Sequence, residues 1–230
     1  MIYRTVTAFL SGVFLELIRS SRQNIELGRD LKALFETVDF VEREMAHVSS
    51  SPDPDTLLLA AVEAARAQGL FVEFGVHKAR TINLISKRVN QTVYGFDSFE
   101  GLPEFWRDTF EQGAFAMARQ PKVNPNVELI KGWFSDTLPG FLKAHPEKFS
   151  FVHVDSDLYS SAATILTLAE DRFQEGTVIV FDEYFNYPGW QRGEHLAFRE
   201  FLARTKFTFE YLSYCRIHEQ VSVRLKSKGG

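Results

Sequence analysis

The fold class follows from two stretches of sequence, residues 151–157 (FVHVDSD) and residues 177–183 (TVIVFDE). Each is a mainly apolar run that ends in acidic residues, and neither alternates between apolar and polar positions. Such runs are typical of strands covered on both faces of a sheet. Similar runs at 70–74, 92–96 and 127–131 are separated by segments that can hold helices. This alternation predicts βαβ units and an α/β fold with a doubly wound, mostly parallel sheet.

The end of the chain departs from this pattern. Residues 207–216 (FTFEYLSYCR) and 218–225 (HEQVSVRL) are two runs rich in β-forming residues, and almost nothing separates them. They predict a C-terminal antiparallel hairpin, which a purely parallel dinucleotide-binding sheet lacks.

The first 50 residues have a different character. Apolar residues recur at helical spacing up to about residue 45, which predicts two helices. Residues 1–18 are interpreted as an amphipathic helix rather than a signal peptide, because Glu16 interrupts the apolar run. The cluster SSSPDPD at 49–55 then breaks the pattern, and Asp55 is expected to cap the next helix. We therefore expect an N-terminal helical extension at 1–50, acting as a lid or oligomer contact, and a second domain at 51–230.

Composition excludes several classes of protein. The net charge of −4 and the absence of a long Lys/Arg run argue against a nucleic-acid partner. The sequence contains no stretch of about 18 uncharged apolar residues, so no transmembrane segment is predicted. Cys215 is the only cysteine, so the chain cannot form an internal disulfide, and a cytoplasmic location is expected.

A ligand-binding turn is predicted where the strand at residues 70–74 ends, in residues 73–81 (EFGVHKART). Gly75 allows a sharp turn and a close approach of the backbone to a ligand at the start of the following helix. The turn lacks the G-x-G-x-x-G pattern, which disfavours a pyrophosphate. Asp97 ends the next strand at about the spacing expected of an acid that binds ribose hydroxyls. Together the two features favour a ligand that contains adenosine, although each is common by itself.

A third strand leads into Trp133, Phe134, Ser135 and Asp136. The aromatic rings are suited to flanking a base, with Ser135 or Asp136 meeting its amino group. Equally, Trp133 and Phe134 are suited to the core.

Acidic residues follow two of the predicted strands. Asp155 and Asp157 come after one strand, and Asp182 and Glu183 come after the next. Ligands of doubly wound sheets bind at the carboxyl ends of the strands, so the four side chains are expected at one site. Carboxylates this close repel one another unless a cation lies between them. Oxygen ligands point to Mg²⁺ or Mn²⁺, with Mg²⁺ favoured, whereas the alternative is a set of helix caps and solvated turns.

Several motifs together resemble the macrocin O-methyltransferase (TylF/MycF) family of S-adenosylmethionine (SAM) methyltransferases. They are FVEFGVHKARTIN (71–83), VYGFDSFEGLPE (93–104), KGWFSDTLP (131–139), FVHVDSDLYSSA (151–162) and VIVFDEYFNYPGWQRGE (178–194). The resemblance covers about residues 70–225. It implies the class I methyltransferase fold, a Rossmann-like sheet of seven strands ending in an antiparallel pair.

The resemblance also implies an activity and a set of site residues. The expected reaction is SAM-dependent, Mg²⁺-dependent O-methylation of a small-molecule acceptor, a sugar hydroxyl of a glycosylated natural product or polysaccharide. Asp157 corresponds to the general base, and Asp155, Asp182 and Glu183 to metal ligands, although a second Asp is usual at the last position. The residues expected to bind SAM are Glu73, Gly75, Val76, Thr81, Asp97, Ser98, Phe134 and Ser135. A homo-oligomer is expected. Two alternatives are a SAM-binding regulator or subunit without catalysis and an NAD(P)-dependent oxidoreductase.

Overall fold

The computed structural model describes residue 16, residues 24–107 and residues 109–228. Its helices are α1 (Ile25–Glu44), α2 (Pro54–Ala64), α3 (Arg80–Ser86), α4 (Phe134–Ala144), α5 (Tyr159–Leu168) and α6 (Glu194–Thr205), with 3₁₀ turns at Glu170–Arg172 and Trp190–Arg192. Its strands are β1 (Ser50–Ser51), β2 (Leu70–Phe74), β3 (Val93–Asp97), β4 (Val127–Lys131), β5 (Phe149–Val154), β6 (Val178–Phe181), β7 (Phe207–Cys215) and β8 (Val221–Lys228). The predicted amphipathic helix at residues 1–18 lies outside the described residues.

Two compact units make up the chain. The smaller contains the described residues up to Ala46 together with Asn186–Gly189, and the larger contains the rest. In the smaller unit, the side chain of Asn24 caps α1 by accepting a hydrogen bond from the Leu27 N–H group. This helix leaves a row of apolar side chains exposed, namely Leu31, Leu34, Phe35 and Val38.

The larger unit is built on one sheet with the strand order β1-β7-β8-β6-β5-β2-β3-β4. Neighbouring strands from β6 to β4 are parallel, and β8 runs antiparallel between β6 and β7. The predicted doubly wound sheet with a C-terminal antiparallel hairpin is confirmed. Over the described residues, the sheet has eight strands rather than seven, because the two-residue β1 pairs parallel with β7.

Burial agrees with the uninterrupted apolar runs that predicted the strands. Every residue of β5 and β6 is buried, so both faces of the sheet centre are covered. The rings of Phe71 and Phe151 stack across β2 and β5 with their centroids 5.5 Å apart. Removing these apolar side chains from water supplies most of the driving force for folding.

Helix α2 corrects one detail of the sequence interpretation. Asp53, not Asp55, caps this helix, because its Oδ1 accepts a hydrogen bond of 2.8 Å from the Thr56 N–H group. Pro54 then occupies the first turn, where its missing N–H group costs nothing.

The connection between β3 and β4 holds no α-helix in its described residues, which form turns and one isolated bridge between Arg107 and Phe110. It therefore brings irregular backbone to the carboxyl edge of the sheet, where the predicted site lies. Among the described helices, none combines the length and the apolar character that crossing a membrane requires.

Candidate active site

The turn after β2 depends on Gly75. Its φ of +92° lies in the left-handed region, and a Cβ atom there would overlap the carbonyl oxygen of Asp155. The Gly75 N–H group donates to the Phe96 carbonyl oxygen at 2.9 Å, which ties the turn to β3. The absence of a side chain thus lets the ends of three neighbouring strands meet closely.

Asp97, at the end of β3, holds this turn in place. Its Oδ2 accepts hydrogen bonds from the N–H groups of Val76 and His77, at 2.9 and 2.8 Å. Its Oδ1 accepts one from the Phe99 N–H group at 2.6 Å. Because each carboxylate oxygen has two lone pairs, Asp97 can still accept a hydrogen bond from a ligand hydroxyl.

A cavity of about 300 Å³ opens at this edge of the sheet. Of the predicted site residues, it is lined by Gly75, Asp97, Ser98, Phe134, Asp155, Asp157 and Glu183. The other predicted residues lie elsewhere. Val76 is buried within the turn, and Glu73 and Thr81 are buried on the elements that flank it. Ser135 is exposed on α4, and Asp182 faces a neighbouring histidine.

Aromatic side chains from the β3–β4 connection form one wall of the cavity. The ring centroid of Phe110 lies 5.3 Å from that of Trp106 and 5.1 Å from that of Phe115. Phe115 in turn lies 5.6 Å from the imidazole of His77. We did not predict this wall from the sequence, where the only signal was a concentration of aromatic residues between 105 and 115.

Arg107 links this wall to the turn between β7 and β8. Its guanidinium lies 3.9 Å from the centroid of the Trp106 ring, in a cation–π contact. Its two terminal nitrogens donate to the two carboxylate oxygens of Glu219 at 2.9 and 3.1 Å. Paired hydrogen bonds of this kind fix geometry as well as charge, so they hold the mouth of the cavity in a defined shape.

Three carboxylates gather at the floor of the cavity, with candidate ligand atoms of Asp155, Asp157 and Glu183 within 4.8 Å of one another. Burial, together with the charge of Asp182, raises the pKa of Asp155 and of Glu183 well above their ordinary values. Burial and the charge of Asp182 also raise the pKa of Asp157 to about 7, against the opposing effect of Arg107. The carboxylates of the cluster therefore repel one another when they are ionised, and a bound cation would reduce this repulsion.

Asp182 belongs to a different arrangement. The Nε2 atom of His153 lies 3.4 Å from Asp182, and the Nδ1 atom of His153 lies 2.9 Å from Glu73. Burial alone would lower the pKa of His153, but hydrogen bonds to Asp182 and Glu73 raise it well above the ordinary value. His153 thus bridges two buried acidic side chains, and burial raises the pKa of one of them, Glu73, despite its hydrogen bond to His153.

Two further hydrogen bonds extend this buried series of Glu73, His153 and Asp182. The Thr81 hydroxyl donates to Glu73 at 3.1 Å, and the Gln220 amide donates to Asp182 at 2.7 Å. The predicted metal ligands therefore belong to two groups that share Asp155. One group contains Asp155, Asp157 and Glu183, and the other contains Asp155, His153 and Asp182.

Glu194, at the start of α6, is a site residue that the sequence interpretation missed. Its side chain is fully buried behind the acidic cluster, and burial raises its pKa to about 8. No spacing pattern distinguishes it from an ordinary acid in the first turn of a helix. Its neighbour His195 packs between the rings of Tyr184 and Trp190, both at 5.1 Å, and does not line the cavity.

Comparison with known proteins adds independent evidence. The family model described as "Methyltransferase domain" matches residues 72–184. A relative from Streptomyces olivaceus, named 8-demethyl-8-(2,3-dimethoxy-alpha-L-rhamnosyl)-tetracenomycin-C 4'-O-methyltransferase, is 29% identical over 111 residues, or 40% of this chain and 41% of its own length. The demethyldecarbamoylnovobiocin O-methyltransferase of Streptomyces niveus is 25% identical over 118 residues, or 43% and 44% of the two chains. The chain thus spans less than half the length of the curated relatives it matches.

The fold has counterparts among solved structures. A calicheamicin methyltransferase has a TM-score of 0.59 and 22% identity, with 73% of this chain and 77% of that chain covered. The family predicted from the motifs is therefore confirmed by the domain match and by the relatives, and the predicted fold by the solved structure. Residues 72–184 thus match the methyltransferase-domain family model, and the chain is similar to class I O-methyltransferases, in line with the macrocin O-methyltransferase group that its motifs resemble.

Proposed function

We propose that the protein transfers a methyl group from SAM to a hydroxyl of a small-molecule acceptor, a sugar of a glycosylated natural product or polysaccharide. The observation that carries this proposal is the position of Asp155, Asp157 and Glu183 on the floor of the cavity that Gly75 and Asp97 also line. Both curated relatives are named as O-methyltransferases, which supports the reaction class. The dense acidic cluster favours an enzyme over a SAM-binding regulator.

The donor would bind where the Gly75 turn meets Asp97. Gly75 lets the backbone approach the ligand, and Asp97 keeps one lone pair, on Oδ1, available for a ribose hydroxyl. Phe134 lines the same cavity beside Trp133 and would contact the base. Glu73 and Thr81 would act indirectly, since both are buried on the elements that flank the turn and bonded to each other.

The residues present also fit a hard divalent cation. Asp155 and Glu183 would hold Mg²⁺, because carboxylate oxygens are its preferred protein ligands and their raised pKa values reflect repulsion that a cation removes. Asp182 would join Asp155 as a further ligand, since the two have candidate ligand atoms within 4.8 Å of each other, while His153 and Gln220 hold its Oδ1 in place. When bound, the cation would supply Lewis acidity that lowers the pKa of the acceptor hydroxyl.

Asp157 would then act as the general base. It lines the cavity, and its pKa of about 7 suits proton transfer near neutral pH. As the acceptor oxygen attacks the methyl carbon, the bond from that carbon to sulfur breaks and the hydroxyl proton passes to Asp157. The aromatic wall of Trp106, Phe110 and Phe115 would pack against the apolar face of a sugar ring and exclude water.

Ligand binding and methyl transfer test the proposal directly. We expect titration calorimetry to show binding of SAM and none of NAD. Methyl transfer to a panel of glycosides, polysaccharides and phenols should occur with Mg²⁺ and fall sharply in EDTA. Binding of NAD without SAM would instead support the oxidoreductase, and binding of SAM without transfer to any acceptor would support the regulator.

The acidic cluster should also make stability depend on pH. The raised pKa values mean that the folded chain binds more protons than the unfolded chain between about pH 4 and about pH 7, so stability falls as pH rises through this range. In EDTA, we expect the free energy of unfolding to be about 2 kcal/mol lower at pH 8 than at pH 5. Urea denaturation at the two pH values measures this difference, and added Mg²⁺ should reduce it. Equal stability at both would contradict the cluster's electrostatics.

For the remainder of the chain, we propose that residues 1–50 form a lid or a contact between copies in a homo-oligomer, and that the protein works in the cytoplasm. The exposed apolar row on α1 supports the first proposal, because such surfaces are commonly covered. Light scattering of the full chain and of a variant with Leu31 and Phe35 replaced by Ser would test it.

A further inference from the structure

Glu194 is the first residue of α6, and its side chain is fully buried. Within the described part of the chain, the ion pairs include none formed by Glu194. A buried carboxylate costs free energy unless it is hydrogen-bonded, so the groups that bond it indicate what Glu194 does at this position. The proposed reaction assigns it no direct role, since it does not line the cavity.

Its two carboxylate oxygens reach two different strand ends. Oε1 accepts hydrogen bonds from the N–H group and the hydroxyl of Ser156, both at 3.3 Å. Oε2 accepts one from the N–H group of Glu183 at 3.1 Å. Ser156 lies between Asp155 and Asp157, so one side chain joins the two segments that carry the whole acidic cluster.

These contacts require a carboxylate rather than an amide. All three partners are donors, and a glutamine could accept on only one side while turning an NH₂ group towards the other. The position also suits a negative charge, because the N-terminus of a helix carries a partial positive charge. The helix and the donors of the two loops therefore offset part of the cost of burial, which still raises the pKa of Glu194 to about 8.

We propose that Glu194 is a positioning residue that sets the separation between the Asp155–Asp157 segment and Glu183. It acts through the N–H group and hydroxyl of Ser156 and the N–H group of Glu183, and it does not line the cavity in which SAM and the methyl acceptor would bind. This inference rests on the proposed function only in taking the acidic cluster as the reacting centre. It adds a residue from α6 to an acidic cluster otherwise built from strand ends.

The experiment compares Glu194→Gln with Glu200→Gln, a control on the same helix whose carboxylate bonds the Tyr159 hydroxyl instead. In Glu194→Gln, we expect kcat and Mn²⁺ affinity to fall about 10- to 100-fold, the range typical of partners that orient metal ligands. The KM for SAM and the melting temperature should stay close to wild type. Amide hydrogen exchange at Ser156 or at Glu183, whichever then faces the NH₂ group, should quicken at least tenfold. The control should match wild type in every measurement.

Unchanged kcat, Mn²⁺ affinity and amide exchange in Glu194→Gln would overturn the inference. A parallel loss of kcat, SAM binding and melting temperature would also overturn it, because that pattern indicates a purely structural role. Wild-type protein that binds neither SAM nor Mn²⁺ would contradict the proposed function instead. In that case, amide exchange at the two positions still decides whether Glu194 joins the loops.

Discussion

Asp157→Asn should lower kcat about a thousandfold, the middle of the range for loss of a general base, and leave SAM affinity within about twofold. Asparagine has the same shape but cannot take the proton of an acceptor hydroxyl. The fold should tolerate the change, because Asp157 has a φ of +60° and asparagine is enriched in that region. Single-turnover methyl transfer and calorimetric SAM titration measure the two effects separately.

The same variant should melt at a higher temperature than wild type at about pH 8, since it removes one of several mutually repelling charges. Asp171→Asn is the matched control, because Asp171 lies exposed in the 3₁₀ turn Glu170–Arg172 and does not line the cavity. It should leave kcat unchanged. Full activity of Asp157→Asn would remove Asp157 from the role of base, and loss of SAM binding would assign it to the donor site.

Gly75→Ala should destabilise the fold by about 3 kcal/mol or more and weaken SAM binding at least a hundredfold, because strain and steric overlap both act there. The new Cβ would overlap the Asp155 carbonyl oxygen, and the φ of +92° is one that alanine rarely adopts. The clash would push the turn away from β5, and with it the N–H groups that Asp97 accepts from. Urea denaturation and SAM titration check the two effects.

Gly140→Ala provides the control for this prediction. Gly140 lies within α4, and a Cβ atom there meets nothing within 4 Å. Alanine favours a helix over glycine by up to about 1 kcal/mol, so this variant should be slightly more stable than wild type. Wild-type stability and SAM affinity in Gly75→Ala would show that the turn has room to relax, against the geometry described above.

The sequence predicted the fold because its strongest signals were local. Uninterrupted apolar runs marked β5 and β6, and parallel pairing of Val154 with Phe181 brings the following acids together. It did not predict that Asp182 turns to His153, because spacing along a strand does not determine side-chain rotamers. The wall of Trp106, Phe110 and Phe115 comes from irregular backbone that has no periodicity to detect. Glu194 acquires its contacts only when α6 docks against the sheet.

The bridge that His153 forms between Glu73 and Asp182 limits how this sheet can diverge in evolution. Loss of His153 alone would leave these two buried acids without their shared partner, and removing one partner of a buried ion pair typically costs about 3–5 kcal/mol. Loss of either acid alone would remove one of the two partners that share the imidazole. Substitutions at these three positions therefore interact strongly, and a change at one alters which changes the other two can tolerate. The three residues, carried by adjacent strands, are expected to be inherited together or replaced together.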